Sequence, residues 1–109
     1  MRVATFAAAL GLTLFTMGMA ASDRPKPKTH TVTVEDMRFQ PEALTVAPGD
    51  TIVWVNKDLV PHSATSDAGS FDSKDIQAGH SWRYTARNKG DYPYFCTFHP
   101  AMKATFHVK

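Results

Sequence analysis

The sequence predicts an all-β fold, a Greek-key β-sandwich of about seven to eight strands. Three observations carry that expectation. From Thr29 onward, short runs rich in Val, Thr and aromatic residues are separated by clusters of Pro, Gly, Asn and Asp. Most of these runs alternate apolar with polar residues, which is the period of a half-buried strand. No stretch of the same region carries a 3.6-residue period of useful length, so nothing competes with the strand reading.

Each element can be justified in turn. "HTVTVED" puts Val32 and Val34 on one face and Thr31 and Thr33 on the other. "FQPEALTVAPGD" holds a turn marked by Pro41, a strand with Leu44 and Val46 inward, and a second turn at Pro48-Gly49-Asp50. "TIVWVN" is apolar on both faces, as the central strand of a packed sandwich should be. "HSWRYTA" alternates Trp82 and Tyr84 with Arg83 and Thr85. "DYPYFC" aligns Tyr92, Tyr94 and Cys96, with Pro93 on the opposite face, which suggests an edge position or a bulge. "KATFHVK" aligns Ala104, Phe106 and Val108 against Thr105, His107 and Lys109. Residues 67–79 read as a loop with room for one helical turn around residues 74–76.

The first 20 residues read differently. Arg2 gives a positive start, residues 3–17 are apolar or small, and Gly18-Met19-Ala20 fits a small-x-small cleavage site. This is the pattern of a secretory signal peptide, and it is short for a membrane span, which needs roughly 20 apolar residues. Residues 21–28 form a Pro- and Lys-containing flexible linker, and residues 29–109 form one small domain with one modest core. Without the leader, 11 basic residues face 10 acidic ones, a net charge of +1. No clustered basic face of the kind that binds nucleic acid is visible. The expected product is an exported, periplasmic monomer with no membrane span in its mature form.

Export sharpens the question of Cys96, the single cysteine. In an oxidising compartment a lone thiol is a hazard unless it is buried, paired or metal-bound. Most other candidate ligands have ordinary explanations. Met1, Met17 and Met19 leave with the leader, and Met37 suits a core or loop position. His30 and His80 begin strands and His107 lies on an outward parity, so all three read as surface or capping groups. Cys96, His99 and Met102 differ, because they sit where an inward-parity strand meets a Pro-containing loop. His62, after the central strand and a short turn, can approach that loop in a Greek-key sandwich. Two imidazoles, one thiolate and one thioether describe a trigonal His₂Cys site with a weak axial Met, as used for copper electron transfer. Zinc sites rarely include a thioether, and an iron–sulfur cluster needs more thiolates.

Two segments, "MRFQPEALTVAPGDTIVWVNKDLVPHSATS" and "GDYPYFCTFHPAMKATFHV", resemble the cupredoxins of the plastocyanin, pseudoazurin and amicyanin group. The resemblance covers essentially all of the domain after the linker. It implies that His62, Cys96, His99 and Met102 are the ligands of one type 1 copper ion cycling between Cu(I) and Cu(II). The two-residue gap between His99 and Met102 is similar to the short amicyanin loop. The implied function is that of a one-electron carrier between periplasmic redox partners, not an enzyme. Copper storage, delivery or tolerance is the alternative. Partners would dock briefly on the His99 face, flanked by Phe98, Pro100, Ala101 and Pro61, with Lys57, Lys74 and Lys103 as a surrounding ring. Two departures stand out. Ser63 replaces the family's usual Asn and has a shorter reach across to the Cys loop. Phe98 replaces a Pro, so its amide is expected to reach the Cys96 sulfur and raise the reduction potential.

Overall fold

The computed structural model describes residues 25–109, together with Gly11. The leader expected at residues 1–20 and the first half of the linker lie outside the described residues, Gly11 apart. Among the described residues no helix is long and apolar enough to cross a membrane.

Among the described residues eight strands follow in order: β1 (Thr29–Glu35), β2 (Arg38–Gln40), β3 (Ala43–Val46), β4 (Thr51–Asn56), β5 (Thr65–Ser66), β6 (Ser81–Thr85), β7 (Gly90–Phe95) and β8 (Lys103–Val108). They form two four-stranded sheets, ordered β2-β1-β4-β6 and β3-β8-β7-β5. β1 runs parallel to β4, and β3 runs parallel to β8, while the other pairs are antiparallel. Between β2 and β7 the chain repeatedly crosses from one sheet to the other, which makes a sandwich and not a pair of meanders. The all-β expectation therefore holds.

Alternation explains which residues fill the space between the sheets. Val32, Val34, Phe39, Val46, Ile52, Trp54, Phe106 and Val108 are all at most 3% exposed. β4 is central in its sheet, and its second face (Thr51, Val53, Val55) is half-buried, as its two-sided apolar character requires. An aromatic group centred on Trp54, Phe71, Tyr94 and Phe106 occupies the middle, with ring centroids 5.5 to 6.2 Å apart. Such contacts add to area burial by about 0.5–1.5 kcal/mol per well-oriented pair.

Two local expectations need correction. β7 is not an edge strand, since it lies between β8 and β5. Pro93 is tolerated because β5 pairs only with Phe95 and Tyr94 and has ended before reaching it. The Pro93 carbonyl on that side accepts the Asp67 amide instead, and the missing N–H breaks no ladder. Residues 74–76 form no helical turn. Lys74 is left-handed at φ 57°, and the segment doubles back on residues 62–66 through bridges His62↔Ile76 and Thr65↔Asp72. Phe71 and Ile76, 7% and 3% exposed, are drawn into the core, and an isolated helical turn could not bury both.

Candidate metal centre

Cys96 continues β7 by one residue, with its amide donating to the Met102 carbonyl (3.1 Å). The chain then turns tightly. The His99 amide donates to the Cys96 carbonyl (3.2 Å), and the Met102 amide donates to the His99 carbonyl (2.8 Å), before β8 begins at Lys103. These three bonds make residues 96–102 a short closed loop whose side chains are set by its backbone.

His62 arrives from the other sheet. Sequence reasoning puts it at the start of a strand, but it precedes β5 by three residues and is held by paired backbone bonds with Ile76 (3.1 and 2.7 Å). Buried Asn56, at the end of β4, shapes the connecting loop. Its amide nitrogen donates to the carbonyls of Val60 and Ile76 (both 2.9 Å), and its oxygen accepts the Asp58 amide (2.9 Å). Every polar atom of a fully buried side chain is thereby satisfied, as burial demands.

These two loops bring three donor atoms together. Cys96 Sγ lies 3.6 Å from His62 Nδ1 and 4.0 Å from His99 Nδ1. All three donors fall within 4.8 Å of one another. His62 and Cys96 are fully buried, and His99 is half-buried. Met102 is 7% exposed and is bound through its backbone to both Cys96 and His99. The structure thus gathers His62, Cys96 and His99 at one end of the sandwich, with Met102 in the same loop. His30, His80 and His107 stay outside this group, as their sequence positions suggest.

The surroundings orient the donors. His62 Nε2 lies 2.7 Å from Asp58 Oδ2, which leaves Nδ1 as the ring nitrogen facing the sulfur. The same carboxylate accepts the amides of Asp36 and Met37 (2.8 and 3.0 Å). Those two residues form the β1–β2 turn with φ of 54° and 59°, a conformation rare without glycine, so Asp58 also secures a turn that its own residues do not favour. Burial alone raises the Asp58 carboxyl, but the Met37 amide, the His62 ring and the Asp36 amide outweigh it and hold it below its ordinary value. Asp58 was not legible as a site residue, although an acid four positions before a candidate ligand histidine is the available signal.

Both departures from the family pattern can be read directly. Ser63 does bridge the two loops: its Oγ accepts the Thr97 amide (2.9 Å) and lies 3.0 Å from Thr97 Oγ1 and 2.9 Å from Thr65 Oγ1. The Thr97 and Thr65 hydroxyls meet the serine partway, which compensates for its short reach. The expected Phe98 bond does not form. Among the described residues the amide that reaches Cys96 Sγ is that of Ser63, at 3.4 Å.

A family model for the cupredoxin-like domain matches residues 6–108. The amicyanin of Paracoccus versutus is 30% identical over 90 residues, covering 78% of this chain and 67% of that protein. Amicyanin-alpha of Methylorubrum extorquens is 29% identical, covering 94% of this chain and 95% of its own length. A Cu(I) structure of an amicyanin variant superposes with a TM-score of 0.71 at 26% identity, covering 74% of this chain and 82% of that one. A copper-containing nitrite reductase from Thermus scotoductus is also similar, with a TM-score of 0.70 at 27% identity, but only 23% of its chain is covered. With this sandwich, this ligand loop and a family match over nearly its whole length, the chain belongs to the cupredoxin-like domain family.

Proposed function

We infer that the protein is an exported, periplasmic one-electron carrier that holds one type 1 copper ion between His62, Cys96 and His99, with Met102 as a weak axial donor. The observation that carries this reading is the triangle of donors around the sulfur. Trigonal binding with metal–nitrogen and metal–sulfur bonds of about 2.0 and 2.3 Å would put the nitrogens about 3.7 Å from the sulfur. The separations of 3.6 and 4.0 Å straddle that value. A soft thiolate with two imidazoles and a thioether suits copper better than zinc. Bound there, copper supplies the one-electron couple.

The residues of the chain supply the rest. Backbone bonds within residues 96–102 and the His62–Ile76 pair fix the donors, so they need little movement when an electron arrives or leaves. Burial shields the Cys96 sulfur from oxidants. His99 alone of the three donors keeps an edge toward solvent, which makes it the route for the electron. Around it lies an apolar rim larger than the sequence suggested. Phe98 (44% exposed) is joined by Met37 (40%), Leu59 (95%) and Val60 (43%), brought to the same end by Asp58 and its bonds to the β1–β2 turn. Such a patch suits brief, small-area contacts with redox partners. A role in storing or delivering copper calls for donors that a recipient protein can reach, and full burial of His62 and Cys96 disfavours it. Likeness to the nitrite reductase is confined to less than a quarter of that chain, which favours a carrier over an enzyme.

The test is spectroscopic. Cu(II) added to the protein should give intense visible absorption and a narrow copper hyperfine splitting in the electron-spin spectrum. Both should disappear in Cys96→Ser while copper still binds. A colourless Cu(II) complex of the parent protein would refute the assignment.

A further inference from the structure

The other end of the sandwich carries a group of lysines without carboxylate partners among the described residues. Registers Val34↔Asn56 and Phe95↔Lys103 mark the end that leads into Cys96, and Thr29↔Thr51 and Gly90↔Val108 mark the opposite end. Lys28, Asp50, Lys89 and Lys109 are the residues immediately beyond that opposite end, about 20 Å from the metal end at some 3.3 Å per residue along β4. A cleft of about 630 Å³ opens there, lined in part by Lys26, Lys28, His30, Asp50, Lys89 and Lys109.

All four lysines are exposed, and none has a carboxylate partner among the described residues, where the one lysine ion pair is Lys74–Asp72. Asp50 is the single acid lining the cleft, and it is already saturated. Its Oδ1 accepts the Lys28 amide (2.9 Å), and its Oδ2 accepts the Ala47 amide (3.0 Å) and lies 2.8 Å from His30 Nε2. The one acidic side chain of the lining is therefore turned onto the backbone and the His30 ring. Like charges gathered around a concavity repel one another and concentrate counter-ions there. The volume falls in the range of small-ligand sites. A multiply charged oxyanion can neutralise several ammonium groups at once, whereas a carboxylate carries a single charge.

We propose that this cleft binds a phosphate-bearing anion. The site is remote from the metal centre, and its occupancy leaves the His99 face free. The same chemical group is offered by dissolved phosphate compounds and by the headgroups of anionic phospholipids, and the experiment separates them.

Amide shifts of the 15N-labelled protein, titrated with inorganic phosphate at low salt, should move saturably at Lys28, Ala47, Gly49 and Lys89 and stay fixed at residues 96–102. The double variant Lys28→Glu/Lys89→Glu keeps the Lys28 backbone bond to Asp50 and should weaken binding by roughly 25-fold or more, at about fivefold per lost charge. The control Arg38→Glu/Arg83→Glu makes the same change in net charge on β2 and β6 and should stay within about twofold of the parent. In a parallel arm, co-sedimentation with phosphatidylglycerol vesicles but not phosphatidylcholine vesicles, lost in the lysine variant, assigns the anion to a lipid headgroup. Phosphate shifts without sedimentation assign it to a dissolved compound. The proposal is overturned if neither phosphate nor phosphatidylglycerol is bound, or if both double variants lose binding equally, which would reduce the effect to net charge. None of these readouts depends on the copper assignment.

Discussion

Asp50 receives hydrogen bonds from the Lys28 amide, the Ala47 amide and the His30 ring, and these lower its pKa from 3.8 to about 2 against the opposing effect of burial. A carboxyl depressed on folding stabilises the native state above its unfolded pKa, and that stability is lost as pH falls through the folded value. Stability should therefore hold down to about pH 4 and then fall toward pH 2. Asp50→Asn keeps the side-chain shape and removes the charge. It should lower stability at neutral pH by about 1.5–3 kcal/mol and flatten the acid limb, as read from urea midpoints across that range. Asp72, lowered chiefly by the Lys74 amide, titrates in the same direction and leaves a residual slope. An acid limb in Asp50→Asn as steep as the parent's would show that these bonds do not survive in solution.

Asn56, where β4 meets the β4–β5 loop, shows how a residue can serve the site without touching it. Its three side-chain bonds lie within or across that loop, and Asp58 and His62 take their places from it. Asn56→Ala removes a buried group and takes their partner from the Val60 carbonyl and the Asp58 amide, so it should cost about 2–4 kcal/mol. It should also speed copper loss to a chelator, because His62 loses its fixed approach to Cys96. Unchanged chelation kinetics in a destabilised variant would mean that the Ile76 bonds alone hold His62. Legibility follows the same local and non-local division. The long strands could be read because each buries one face, and alternation records that face in the sequence. Cys96, His99 and Met102 could be read because seven residues span them, whereas His62 needed the expected topology to bring it near. β5 was hidden, because two residues carry no period and their pairing is set by Tyr94 and Phe95 across the sheet. The fold-back of residues 67–79 and the bond of Asp58 to the β1–β2 turn were hidden for the same reason. The Asp58 bonds to the turn reach 22 and 21 positions and the His62↔Ile76 bridge 14, while the Thr65↔Asp72 bridge closes over seven with no period to record it.

Among the described residues, the large exposed hydrophobics and the lysine-lined cleft lie at opposite ends. Met37, Leu59, Val60 and Phe98 are the large hydrophobic residues left exposed there, and they share the end that carries His99. Lys26, Lys28, Lys89 and Lys109 line the cleft at the other end. Two copies of the protein can then meet apolar patch to apolar patch with their lysine clefts far apart, well beyond the ~8 Å over which charges act at physiological salt. Electron self-exchange between oxidised and reduced copies should be fast and weakly dependent on salt. Leu59→Asp places a charge on the most exposed apolar side chain. Because that side chain buries almost nothing, the change should alter stability by no more than about 0.5 kcal/mol. It leaves the ligands and the Asn56 and Asp58 bonds in place, so the reduction potential should stay constant. Self-exchange, measured from NMR line broadening in mixed oxidation states, should nonetheless slow by about tenfold or more, because each encounter now brings two like charges into a desolvated contact. Lys89→Glu, at the far end, should leave the rate unchanged. If Leu59→Asp leaves it unchanged as well, the electron leaves by some face other than the His99 end.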